Sequence, residues 1–160
     1  MTVLSNLLWK TVGLTVLSAG WLEPPPVLPK GEDTKVRVTV IAILATDRSN
    51  VIDPKLERFA KEVQKTEPQL TGFTLAQTTR KTLAVGNTLD FPLVDKQVAE
   101  ISVEKGMDTQ NRVSLKVKPP QVGEIVYTSA CGKFFPIVTR YQTKDKERLI
   151  IAIMVRPSRH

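Results

Sequence analysis

VRVTVIAILATDRSNVIDPKLERFAKEV, residues 36–63, is the stretch whose reading decides how this chain folds. Val36, Val38, Val40, Ala42 and Leu44 recur with period two and fall on one face of a strand. The opposite face begins polar at Arg37 and Thr39 and turns apolar at Ile41, Ile43 and Ala45. A strand apolar on both faces over its second half belongs in the middle of a sheet, covered from both sides. The period then changes. After the polar turn Asp47-Arg48-Ser49-Asn50, Asp53-Pro54 opens a helix: a side-chain acceptor for orphan backbone donors, then a proline where no N–H is needed. Leu56, Phe59, Ala60 and Val63 make one apolar stripe at helical spacing, and Thr66-Glu67-Pro68 stops it. One helix at about 54–66, packed on one face of a sheet, is the expectation.

From Gly72 onward the period is two. Phe73, Leu75 and Gln77 read as a strand, followed by Leu83 and Val85. Gly86-Asn87 then reads as a hairpin turn into Leu89, Phe91 and Leu93, with Pro92 marking an edge strand. Ala99, Ile101 and Val103 alternate with Glu100, Ser102 and Glu104, and Val113, Leu115 and Val117 with Ser114, Lys116 and Lys118. That is a second hairpin whose outward faces pair acid with base. Pro119-Pro120 interrupts the chain, which resumes through Ile125, Tyr127, Phe135, Ile137, Thr139 and Tyr141. Leu149 to Val155 is apolar on both faces, like the first strand, and is expected beside it. The predicted class is therefore α+β: a mainly antiparallel sheet or two-layer β-sandwich of about seven or eight strands with one packed amphipathic helix. The single domain spans 35–156, with a polar tail at 157–160.

Residues 1–22 are mostly apolar, with Lys10 ahead of the uncharged run Thr11–Gly20 that ends in Ser18-Ala19-Gly20. The pattern fits a signal peptide. An uncleaved anchor is weighed against it, although Lys10 interrupts the run, and so is an amphipathic helix packed on the domain. Residues 23–34, EPPPVLPKGEDT, are a proline-rich linker. The localisation expected is exported (periplasmic or extracellular) or membrane-anchored through this segment, with cytoplasmic as the alternative.

Composition excludes several function classes. The chain holds one cysteine, Cys131, and one histidine, His160, so neither an internal disulfide nor a four-ligand Cys/His zinc site is possible. Histidine-based acid–base catalysis would rest on a terminal residue. Gly132-Lys133 shares two residues with a phosphate-binding loop but lacks its upstream glycine and its Ser/Thr. Cys131 reads as a small hydrophobe, despite Lys133 nearby. No residue is assigned to catalysis, to a cofactor or to a metal. The excess of 23 Lys and Arg over 16 Asp and Glu gives a net charge of +7, which favours polyanions as partners. Lys133-Phe134-Phe135, Arg140-Tyr141, Lys144, Lys146 and Arg148 interleave base with aromatic, as a polyanion-binding surface does, although Phe135, Ile137 and Tyr141 share the expected core face. The candidate polyanion-binding residues are thus Lys133, Arg140, Lys144, Lys146 and Arg148.

Ile43-Leu44-Ala45-Thr46-Asp47, the helix start Asp53-Pro54-Lys55-Leu56 and the closing Leu149-Ile150-Ile151-Ala152-Ile153 together resemble a family of uncharacterised, predicted exported bacterial β-rich proteins. The resemblance covers most of residues 36–155. It implies export and a β-rich domain, and no activity. The function expected from all of this is a non-enzymatic exported or envelope-associated interaction domain, meeting a protein or envelope component and touching membrane only through its N-terminal segment. A polyanion-binding module for nucleic acid or acidic envelope polymer is the alternative.

Overall fold

Strand β1 (Val36–Thr46) is followed by one 3-10 turn, Pro54–Leu56, that leads into helix α1 (Glu57–Gln64). Seven strands follow: β2 (Gly72–Leu83), β3 (Thr88–Pro92), β4 (Val98–Lys105), β5 (Arg112–Lys118), β6 (Ile125–Ala130), β7 (Phe134–Gln142) and β8 (Arg148–Pro157). These elements come from a computed structural model that describes residues 35–158; the expectations for 1–34 and for His160 lie outside the described residues.

The strands form two four-stranded antiparallel sheets, one in the order β2-β1-β8-β7 and one in the order β3-β4-β5-β6. The α+β, sandwich-like architecture is the one expected from the periodicity. The two strands apolar on both faces occupy the middle of the first sheet side by side, pairing from Val36↔Pro157 to Ala45↔Arg148. Their two faces diverge as period two requires. Val36, Val38, Val40, Ala42, Leu149, Ile151, Ile153 and Val155 meet Phe91, Ile101, Val103, Val113, Leu115 and Val117 of the second sheet, all fully or almost fully buried. Ile43, Ala45, Ile150 and Ala152 face the other way and receive Leu56, Ala60 and Val63 from the helix, with Leu70 and Phe73.

The helix forms where its sequence says it should. Asp53 caps the 3-10 turn that leads into it, its Oδ1 accepting from the Lys55 backbone N–H at 2.9 Å, and Pro54 takes the first position of that turn. Gln64 reaches back with its side-chain amide to the Leu70 carbonyl at 3.0 Å, tying the helix end to the segment that starts β2.

Three expectations are corrected. Residues 72–83 are one twelve-residue strand, paired with β1 along its length across a bulge at Ala42/Ile43. Gly86-Asn87 is a turn, but it does not make a hairpin: β2 pairs with β1, while β3 pairs with β4 in the opposite sheet. Alternation on either side of a tight turn looks the same whether the chain doubles back or rounds a corner between facing sheets, and here β3 crosses to pair with β4 while β2 stays at the edge of its own sheet. Gly86, at φ +83, donates to the Val103 carbonyl of the second sheet; Gly132, at φ +80, makes the return crossing before β7 and donates to Val155. Both sit in the left-handed region that side chains disfavour. Finally, β8 continues through Arg156 and Pro157, and Ser158 N–H bonds to Lys35 O at 3.1 Å, so the polar tail starts later than expected. Pro92 does lie on an edge strand, and the β4–β5 hairpin carries its acid–base pairs.

Truncation after Asp145 removes β8 from between β1 and β7 and should leave a chain with no cooperative urea transition; a folded, soluble truncation would contradict this topology. Asp53→Ala, in contrast, should keep the fold and lose about 1 kcal/mol of stability, the usual worth of a helix cap, in the same measurement.

Candidate functional site

The outer face of the first sheet is only partly roofed by α1. Beyond the helix, period two brings Arg37, Thr39 and Ile41 of β1, Arg80 of β2, Met154 and Arg156 of β8 and Phe134 of β7 to one side of the sheet. Register places them: Arg37 stands opposite Arg156, Thr39 is flanked by Arg80 and Met154, and Phe134 is opposite Met154. A depression of about 570 Å³ lies here, lined by the three arginines with Thr39, Phe134 and Met154. A second, of about 310 Å³, runs between helix and sheet over Ile41, Ile43, Leu56 and Phe59, with Lys55 and Arg58 on its helical rim. Phe134, 45% exposed, and Gly132 border both, so the two form one surface.

Its electrostatics are one-sided. Arg37 and Arg156 are like charges directly opposed across neighbouring strands, an arrangement that destabilises a sheet. Among the described residues neither they nor Arg80 makes an ion pair and no carboxylate lines either depression. The outer face of the second sheet is built the opposite way. There Lys118 lies 3.2 Å from Glu100 and Lys116 3.2 Å from Glu104, and the hydrogen bond and charge of Glu104 raise the Lys116 pKa. One outer face is neutralised within the fold; the other, among the described residues, is left positive.

The basic residues expected from sequence fall into two places. Lys133 sits in the turn entering β7, beside Gly132 and Phe134, at the edge of the arginine surface. Arg140, Lys144, Lys146 and Arg148 gather about the far end of β7 and the turn into β8. Along β7, Lys133 and Arg140 are seven residues apart, about 23 Å at about 3.3 Å per residue, which separates the two groups. Lys144 and Lys146 are exposed and alternate with Asp145 and Glu147. Arg148 is partly buried, its Nη1 3.4 Å from Glu67 Oε2. The aromatics of this region belong to the fold: Phe135 stacks on Tyr127 with ring centroids 3.9 Å apart, and the Tyr141 hydroxyl donates to Asp95 at 2.8 Å.

Arg37, Arg80 and Arg156 are not conspicuous in the sequence because they are far apart in the chain. A signal was present: Arg37 opens one central strand and Arg156 closes the other, and antiparallel pairing of those two strands must bring them together.

The remaining reactive groups are held within the fold. Cys131 packs partly buried against the core, and burial, then the nearby Asp108 charge, raises its thiol pKa. Burial likewise raises the Tyr127 hydroxyl. Asp108 closes its own turn, accepting from Arg112 N at 2.8 Å, Gln110 N at 2.9 Å and Arg112 Nε at 2.9 Å; these bonds hold its carboxyl below the usual range. Among the described residues no three His, Cys, Asp or Glu side chains are grouped to hold a metal, and no helix is long and apolar enough to cross a membrane. Comparison with family models, curated proteins and solved structures gives no match, so the functional reading stands on the arginine surface and its surroundings alone.

Proposed function

We propose that the chain is a non-enzymatic interaction domain, exported or envelope-associated, that holds an anionic partner on the uncovered half of the first sheet's outer face. The observation that carries this is the trio Arg37, Arg80 and Arg156, unneutralised within the described fold, around the exposed Phe134 and the half-buried Met154. Guanidinium groups are well suited to anion capture, since each presents a rigid fork of donors to a carboxylate, sulfate or phosphate and gives up its hydration more readily than an ammonium. The apolar first 22 residues and the proline-rich linker support export or tethering. The basic turn at Lys144 and Lys146 is a secondary contact at most, because Asp145 and Glu147 lie between and beside its lysines.

Binding to a heparin fragment should be measurable at low salt and fall steeply as salt rises, as charge-driven association does. The triple variant R37Q/R80Q/R156Q should bind at least about tenfold more weakly, with a shallower salt dependence, while K144Q/K146Q stays close to wild type. The triple variant should also be slightly more stable to urea, by about 0.2–1 kcal/mol, since it relieves the opposed charges. Equal heparin binding by wild type and triple variant would remove the face from consideration.

The non-enzymatic part of the proposal is tested on Cys131. With its thiolate disfavoured, the folded protein should react with a thiol reagent at neutral pH far more slowly than the urea-unfolded chain, and the rate should climb only above the pH at which a free thiol ionises. Rapid stoichiometric modification of the folded protein would reopen a nucleophilic role.

A further inference from the structure

We infer that the anionic partner of the arginine face is a membrane surface, and that the domain lies against lipid headgroups with this face down. The inference rests on the preceding proposal and adds its ligand class. Three observations single out lipid. The first is where the chain enters. Val36 pairs with Pro157, and Ser158 N–H bonds Lys35 O at 3.1 Å, so the entry point at residue 35 is fixed beside the end of β8. Arg37 and Arg156 therefore lie within two residues of the point from which residues 1–34 leave the domain. That N-terminal stretch is mostly apolar over residues 1–22, the composition of a segment that partitions into a bilayer.

The second is composition. Phe134, 45% exposed, and Met154 stand among the arginines on a shallow sheet surface. Apolar side chains ringed by cations are what an interfacial element presents to the boundary between headgroups and acyl chains. The third weighs against nucleic acid. Stacking of bases needs free aromatic faces; Phe134 is the one aromatic of the arginine depression, Phe59 in the adjoining one is packed partly against the core, and Phe135, Tyr127 and Tyr141 are packed against the core or hydrogen-bonded elsewhere.

The test uses the full chain and sedimentation with vesicles of phosphatidylcholine alone or with one part in about three of phosphatidylglycerol. Any association through residues 1–22 appears with both vesicles, so the increment due to anionic lipid is the readout. At low salt it should be large, about fivefold per arginine and so about two orders of magnitude for three. R37Q/R80Q/R156Q should abolish the increment, Phe134→Ala should reduce it, and K144Q/K146Q should leave it in place. No increment for wild type, or an increment that survives in the triple variant, overturns the inference. So does displacement from anionic vesicles by a stoichiometric oligonucleotide, which would assign the face to nucleic acid. Heparin binding that depends on the three arginines, without an anionic-lipid increment, would sink the membrane assignment and leave the anion-binding face standing; loss of both would sink both.

Discussion

The antiparallel pairing of β1 with β8 is the constraint on which the rest of the structure depends. It joins the two ends of the described chain through ten residue pairs, Val36↔Pro157 to Ala45↔Arg148. Both strands are apolar on both faces over much of their length, so neither can be satisfied by a single partner layer. Burying one face calls for the second sheet and burying the other calls for α1. The three-layer stack follows from that double demand: β3 to β6 supply one cover, and Leu56, Ala60 and Val63 supply the other. A one-residue slip in this pairing would exchange the two faces of one strand against both layers at once, and so the register is held strongly.

Legibility in the sequence tracks this hierarchy. The central strands, the cap at Asp53-Pro54, the helical stripe and the β4–β5 hairpin are each determined by neighbours within a few residues or by a single face that must be buried. All are readable as patterns. The corner at Gly86 is different. Leu83 and Phe91 flank it with correct alternation, but nothing in those residues says whether β3 returns to pair with β2 or crosses to the facing sheet. That choice is settled by pairing with β4 and by Phe91 entering the core between the sheets, contacts that lie beyond the local alternation.

The candidate surface shows the same limit in another form. A search for basic clusters along the chain finds Lys144, Lys146 and Arg148, because they are nearly contiguous. In the fold these are diluted by Asp145 and Glu147 or paired with Glu67. The arginines that do gather come from β1, β2 and β8, and register assembles them. Aromatic content misleads similarly: Phe135 and Tyr141 look available beside basic residues, and period two turns both onto the core.

The contrast between the two outer faces is the strongest reason to regard the arginine surface as more than a solvated exterior. On the second sheet every outward lysine of β5 has a glutamate across or beside it, at Glu100, Glu104 and Glu124. The same means were open to the first sheet and are not used there: Arg37 faces Arg156, and threonines occupy positions 39, 78 and 82 where carboxylates would have relieved the repulsion. The β1–β8 pairing tolerates this cost because eight apolar side chains of those two strands already secure its register against the second sheet. Moving the repulsion to a weaker pair, such as the short edge strand β3 with β4, would put register at risk. An unneutralised charge cluster placed on the pairing best able to bear it is the arrangement expected when an external anion completes the charge balance, and it is the two central strands that make room for it.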